Sequence, residues 1–383
     1  MLPNRVTIEK TRVLFSCRDP GGAGHILALY RAFRENGQFD VDLAASGIAL
    51  AMLRKEGEVP CIFECADGRD HLQLGEDATP LLDAARQLLA ESRPHAVFVA
   101  LSSFGIGIDE ALLATCQVPS FAMQDFWGDV NLGLNRAAGL YFVLDDEADD
   151  LTRERWAVPT VPVGSPKHAR YASIDVLALR HACRELLGIS EDRRVIGFLN
   201  ESLEIPGQEA AFRSMVDSSA QIKQGPLFVF REHPKFVMAR EAHLSYMRSA
   251  GLEVVDATDK WNAEMVLAAC DVITTTFSSC GLDHAYLSAY SRAPIGSVVY
   301  LMVNKAIRSY FHRTTGLWRF PIVNKGMGRV IEKPGDIVAG LSNALSYESK
   351  VAYFEACASL KTDDPCRSII DRVAQRLSVG RPS

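Results

Sequence analysis

The run Arg231-Glu232-His233-Pro234-Lys235 gathers two cations, an imidazole and a stiffened turn directly after the apolar string PLFVF. That set suits a phosphate. Arginine offers a planar fork of donors, histidine can donate whether neutral or charged, and proline restrains the turn. Arg231, His233, Pro234 and Lys235 are therefore candidates to hold a diphosphate or phosphodiester, with a solvated loop in which Arg231 pairs with Glu232 as the alternative. A second cluster, Thr274-Thr275-Thr276-Phe277-Ser278-Ser279-Cys280-Gly281, ends an apolar string and precedes the helical pattern DHAYLSAYSR. Consecutive hydroxyls before a helix N-terminus form a neutral anion cradle, which makes Thr276, Ser278 and Ser279 candidate contacts. Asp283, in the first turn of that helix, is placed to accept from ribose hydroxyls or to cap the helix.

The N-terminal half carries its own candidates. Asp19-Pro20-Gly21-Gly22-Ala23-Gly24-His25 follows the first apolar string and opens a helical pattern. Glycines at 21, 22 and 24 would let a ligand approach the backbone, or simply serve a turn that needs positive φ. The spacing matches neither the Walker pattern nor the dinucleotide fingerprint. Asp125, in FAMQDFWGD, ends a string beside an aromatic pair, a setting that raises a carboxyl pKa and suits a general base. Asp129 and His25 are fallbacks for that role, and Trp127 could stack on a sugar face. The acidic run Asp145-Asp146-Glu147 with Asp149 and Asp150 reads as a helix start favoured by the dipole rather than as a metal site. Lys305, Arg308 and Arg313 lie in a basic, aromatic stretch that would meet an anionic acceptor or a lipid-linked headgroup, or form an exposed helix.

These residues need elements to position them. Apolar strings alternate with helical patterns throughout: TRVLFSC, VDLAAS, CIFEC, HAVFVALS, PSFAMQD and LYFVLDDE in the first half; RRVIGFLNES, PLFVFREHP, LEVVDA, DVITTTFSS and APIGSVVYLM in the second. That alternation requires parallel sheets. At 383 residues there is material for two cores. The fold class expected is α/β, with two doubly wound Rossmann-like domains facing a central cleft. Their bounds are 1–163, for an acceptor, and 164–383, for a nucleotide donor, with the last helix free to pack back on the first domain. The hinge is placed near Gly164 to Pro166, in VPTVPVGSPKHARY. Ligands of such sheets bind beyond the strands' carboxyl ends, where every cluster above falls.

Composition bounds the partners. The formal net charge of −6 provides no general field for nucleic acid. No stretch has the length and apolarity of a membrane span or a signal peptide, so a cytoplasmic protein is expected. The nine scattered cysteines read as reduced core residues, and the pair Cys61 and Cys65 lacks companions for a metal site.

RxHP at one strand end, followed by a Ser-Ser strand end in the second of two doubly wound domains, resembles the donor-binding half of two-Rossmann (GT-B) glycosyltransferases. The likeness is to bacterial capsule and teichoic-acid polymer transferases and sialyltransferase-like enzymes with HP and SS motifs. VPVGSPKHARY is similar to the GxP crossover shared with the non-hydrolysing UDP-N-acetylglucosamine 2-epimerases, although their N-terminal loop is replaced here by DPGGAG. The resemblance implies that His233 and Ser278 or Ser279 touch a donor phosphate. It also implies an inverting transferase that moves a sugar or related group from a nucleotide-activated donor to a hydroxyl acceptor in surface-glycan synthesis. No cofactor or metal is then required, since Arg, Lys, His and backbone dipoles neutralise the phosphate. A 2-epimerase-like sugar-nucleotide enzyme is the alternative, and a non-catalytic nucleotide-binding protein a further one.

Overall fold

The computed structural model describes residues 10–101, 105–222, 225–258 and 262–379; the side chains of Pro234, Lys235 and Val379 lie outside that description. The chain forms two compact units, Met1–Ala169 with Thr362–Ser383, and Arg170–Lys361. Residues 164–169 and 362–383 thus belong with the first unit.

The first unit runs β1 (Thr11–Cys17), α1 (Pro20–Asn36), β2 (Phe39–Ala45), α2 (Gly47–Lys55), β3 (Cys61–Ile62), α3 (Thr79–Ser92), β4 (Ala96–Ala100) and α4 (Ile108–Thr115). It continues through β5 (Ser120–Met123), β6 (Leu140–Val143), α5 (Asp146–Trp156), β7 (Thr160–Pro162) and α6 (Pro166–Ala169). Seven parallel strands pair in the order β3-β2-β1-β4-β5-β6-β7. The middle strand β4 is buried along its whole length, as a parallel strand covered on both faces must be. Register sets Phe15 beside Phe98 and Phe98 beside Phe121, and their rings stack at 5.3 and 6.1 Å.

The second unit runs α7 (Val176–Leu186), β8 (Val195–Leu199), α8 (Gln208–Ser219), β9 (Leu227–Arg231), α9 (Arg240–Ser249), β10 (Val254–Asp256), α10 (Ala263–Ala269) and β11 (Val272–Thr275). It ends with α11 (Cys280–Tyr290), β12 (Ser297–Leu301), α12 (Lys305–Thr315), α13 (Pro321–Asn324), β13 (Arg329–Ile331), α14 (Ile337–Ala344) and α15 (Tyr347–Cys357). Its six parallel strands pair as β10-β9-β8-β11-β12-β13. Each sheet therefore winds outward in both directions from a first central strand, the doubly wound order. The last helix, α16 (Pro365–Val379), packs on α1 and α6 of the first unit.

Most of the cysteines are buried free thiols, but Cys61 is exposed and Cys280 half-buried, which corrects the reading of all nine as core residues. Cys61 escapes the core because β3 is a two-residue edge strand.

A Cβ at Gly22 would lie 2.5 Å from the Cβ of Ala100 and 2.9 Å from the carbonyl oxygen of Leu101, so α1 can approach the end of β4 only without a side chain there. Gly335 faces open space. Gly22→Ala should therefore lose about 1–3 kcal/mol through overpacking, while Gly335→Ala stays within about 0.5 kcal/mol of the parent in urea titration. Equal midpoints for the two variants would refute this packing.

Candidate active site

In the first unit, the expected glycine loop is the first turn of a helix. Pro20 occupies the first position of α1, where its missing N–H costs nothing, and Asp19 precedes it in extended backbone. Gly21, Gly22 and Gly24 all have ordinary helical φ, so neither a positive-φ turn nor a ligand-lined loop describes them. Their missing side chains are replaced by protein. The carboxylate of Asp125 fills the space at Gly21, β4 that at Gly22, and the Lys167 stem, 3.0 Å from a would-be Cβ, that at Gly24.

Asp125 is thereby brought to the first turn of α1, with Asp19, Asp129 and Lys167 around it. It is half-buried. Burial, then the neighbouring Asp129, push its pKa up to about 7, against the pull of Lys167. Burial also raises Asp129 to about 6, although its carboxylate accepts the N–H of Val130 and the residue is exposed. Since water reaches Asp129, the carboxyl best placed to hold and release a proton near neutrality is Asp125.

Two other N-terminal candidates have structural employment. Trp127 is 2% exposed and its indole N–H donates to Asp145 at 3.0 Å, so it cannot offer a face to a sugar. His25 is buried on α1, where Nδ1 accepts the Lys167 N–H at 3.4 Å and the ring meets His168 edge-on. The acidic run is a helix start: Asp145 caps α5 by accepting from Ala148, and Asp149 pairs with Arg153.

In the second unit, the carboxyl ends of three neighbouring strands are joined by a chain of buried amides and carboxylates. Thr276, after β11, donates to Gln208 Oε1 at 2.9 Å. Gln208 Nε2 donates to Asn200 Oδ1 at 2.7 Å, and Asn200 Nδ2 donates to Glu232 Oε1 at 2.7 Å. Glu232 also accepts the backbone N–H of His233 at 2.9 Å and meets His243 Nδ1 at 2.5 Å. Burial disfavours the charged form of His243, but its hydrogen bonds to Glu232 and Glu209 outweigh that and raise its pKa.

Glu232 is thus committed to His243 and Asn200, and the expected alternative pairing with Arg231 does not form. Arg231 is half-buried at the end of β9, and its guanidinium has neither an ion pair nor a hydrogen bond among the described residues. His233 is half-buried beside Phe236, at 5.9 Å between rings. Pro234 begins a short 3-10 segment, Pro234–Ala239, but the side chains of Pro234 and Lys235 lie outside the described residues.

Across β8, Ser279 is exposed at the N-cap of α11, and Ser278 Oγ accepts the Cys280 N–H at 3.2 Å. Thr276 is fully buried and spent on Gln208, so it is not a ligand contact. Asp283 is 6% exposed in the first turn of α11, past the N-cap position held by Ser279, and its charge acts on the Tyr171 phenol, so it is buried rather than open to a ribose. Arg308 donates to the carbonyls of Met302 and Glu332, a local tie rather than an acceptor contact. Lys305 and Arg313 are exposed on α12.

Sequence reading missed Asn200, Glu201, Gln208 and His243. Burial raises the Glu201 carboxyl to about 7 while the Phe277 N–H and the Thr275 hydroxyl favour its ionised form. The available signal was Asn200-Glu201 itself, polar residues directly following the apolar β8 as Arg231 and Glu232 follow β9.

No family profile matches the sequence, and no curated protein matches it. Solved structures do. The UDP-GlcNAc 2-epimerase of Neisseria meningitidis bound to UDP-GlcNAc is 12% identical, with a TM-score of 0.69 over 95% of this chain and 100% of that one. A glycosyltransferase from Rickettsia africae is 9% identical, with a TM-score of 0.61 over 97% and 100%. HepE of Anabaena in complex with UDP and glucose is 14% identical, with a TM-score of 0.60 over 96% and 100%. The fold is that of the GT-B glycosyltransferases and UDP-GlcNAc 2-epimerases, as the resemblance implied.

The Asp125 carboxyl tests the first edge. Its folded pKa of about 7 exceeds the ordinary 3.8, so the stability it contributes is complete below about pH 4 and is lost as pH rises through 7. Asp125→Asn, always neutral, should match the parent near pH 4 and gain on it by up to a few kcal/mol toward pH 8, at about 1.4 kcal/mol per pKa unit. A difference independent of pH in urea titration would show that Asp125 keeps an ordinary pKa.

Proposed function

We propose that the chain is a nucleotide-sugar enzyme, and within that class an inverting transferase acting on a hydroxyl acceptor in surface-glycan synthesis. The observation that carries the reading is Arg231: an arginine without a protein partner among the described residues, at the carboxyl edge of a doubly wound sheet, with only β8 between its strand and the one that leads to the exposed Ser279 at the N-cap position of α11. A guanidinium fork, a histidine and a helix N-terminus together suit the diphosphate of a UDP-sugar. Of the structures with this fold, one holds UDP-GlcNAc and another UDP with glucose, which supports the choice of ligand class.

In this reading Arg231, His233 and the Ser278-Ser279 turn bind the donor phosphates and stabilise the charge that grows on the leaving diphosphate as the glycosidic bond breaks. Asp125 accepts the proton of the acceptor hydroxyl as that oxygen bonds to the sugar carbon. A base of pKa about 7 requires kcat/KM to rise with pH through neutrality. Epimerisation is the second reading, favoured by the epimerase fold match.

The two separate in deuterium oxide. With UDP-GlcNAc alone, transfer predicts no exchange of the sugar C2 proton, and UDP release only once a hydroxyl acceptor is added. Asp125→Asn should then slow release about 10²- to 10⁴-fold with unchanged UDP affinity. Deuterium at C2 without acceptor would replace transfer by epimerisation, and the absence of both reactions across UDP-, CDP-, CMP- and GDP-sugars would leave a binding protein.

A further inference from the structure

Although the chain is net acidic, the 48 residues from His284 to Ile331 contain seven Lys and Arg and no Asp or Glu. Two of these cations, Lys305 and Arg313, share one exposed face, whereas Arg292 pairs with Asp175 and Arg308 with backbone carbonyls. On α12, Ile307 and Phe311 are buried in the second unit, while Lys305, Ser309 and Arg313, spaced four apart, share the exposed side. The helix ends at Gly316, and Trp318 beyond it is 67% exposed. Its indole lies flat on the His312 imidazole at 3.7 Å, which holds a large apolar ring at the end of the basic ridge. Exposed Arg319 adds a cation, balanced by one ion pair to Glu332. Despite that stacking contact, most of the Trp318 surface stays open to solvent beside Lys305 and Arg313.

We infer that the α12 ridge with Trp318 is a docking surface for an anionic phospholipid bilayer. The cations meet the lipid phosphates, and the indole sits at the headgroup boundary, where amphipathic rings are favoured. A flat anionic surface can touch a convex ridge along its length, whereas a nucleic acid would need cations that track a groove. The mode is peripheral: among the described residues no helix is long and apolar enough to cross a membrane. The ridge also adjoins the candidate donor turn, because Phe277 packs on Tyr310 and Phe311 of α12 at 6.1 and 5.4 Å between rings. Docking through α12 would thus bring the Ser278-Ser279 turn close to the lipid surface. The inference stands independently of the nucleotide reading, since binding to lipid requires no turnover.

The test is cosedimentation of the full chain with vesicles of phosphatidylcholine alone or with about one-third phosphatidylglycerol. Binding is expected only to the anionic vesicles, weakening with salt, and accompanied by a blue shift of tryptophan emission that Trp318→Phe removes. Lys305→Ala with Arg313→Ala should weaken binding about 25-fold, at roughly fivefold per cation, and Lys305→Arg with Arg313→Lys should restore it. Both positions are exposed, so unchanged melting temperatures verify folding. Equal binding to neutral vesicles, an unaffected double-alanine variant, or binding of a single-stranded oligonucleotide in place of vesicles would each overturn the inference.

Discussion

A line of buried hydrogen bonds from Thr276 through Gln208 and Asn200 to Glu232 governs the second unit's carboxyl edge. These polar groups sit where apolar strands stop, and each unsatisfied one would cost about 1–3 kcal/mol. The line satisfies them by tying together the ends of β11, β8 and β9. It also sorts the residues of each turn. Thr276 and Glu232 turn inward and are consumed, while Arg231 and Ser279 remain on the accessible side. Glu232 further holds the His233 backbone and, through His243, the start of α9, so the RxHP turn is braced from two sides.

The two sheets carry opposite chemistry at equivalent edges. The first places Asp19, Asp129 and Lys167 around Asp125, whose pKa is raised to about 7 by burial first and by the neighbouring carboxyls second. The second offers an arginine, a histidine and a helix N-terminus preceded by two serines.

Both doubly wound sheets were legible because parallel strands buried on both faces read as continuous apolar strings between amphipathic helices. β7 was not, since Thr160–Pro162 reads as hinge punctuation, and neither was β13, whose Arg329–Ile331 core is three residues long. At the candidate sites, residue type and strand position pointed to Arg231, Ser279 and Asp125, which the structure leaves at least partly accessible. They could not separate accessible polar residues from consumed ones. Thr276, Asp283, Trp127 and His25 have suitable chemistry, but their partners lie up to 142 residues away, and only the tertiary fold assigns them. The glycines illustrate the same limit: a ligand loop and a helix packed tightly on a strand both call for Gly.

The central claim is that Arg231 waits for a phosphate, and calorimetric titration of UDP into the parent, Arg231→Ala and Ser279→Ala proteins tests it directly. Because Arg231 has no protein partner among the described residues, its removal should leave the melting temperature of the free protein unchanged. It should weaken UDP binding by roughly 1.5–3 kcal/mol, about tenfold to a hundredfold, and flatten the salt dependence. Ser279→Ala should lose less. Equal UDP affinities for all three proteins would contradict a phosphate site at this edge and remove the ground for calling the chain a nucleotide-sugar enzyme.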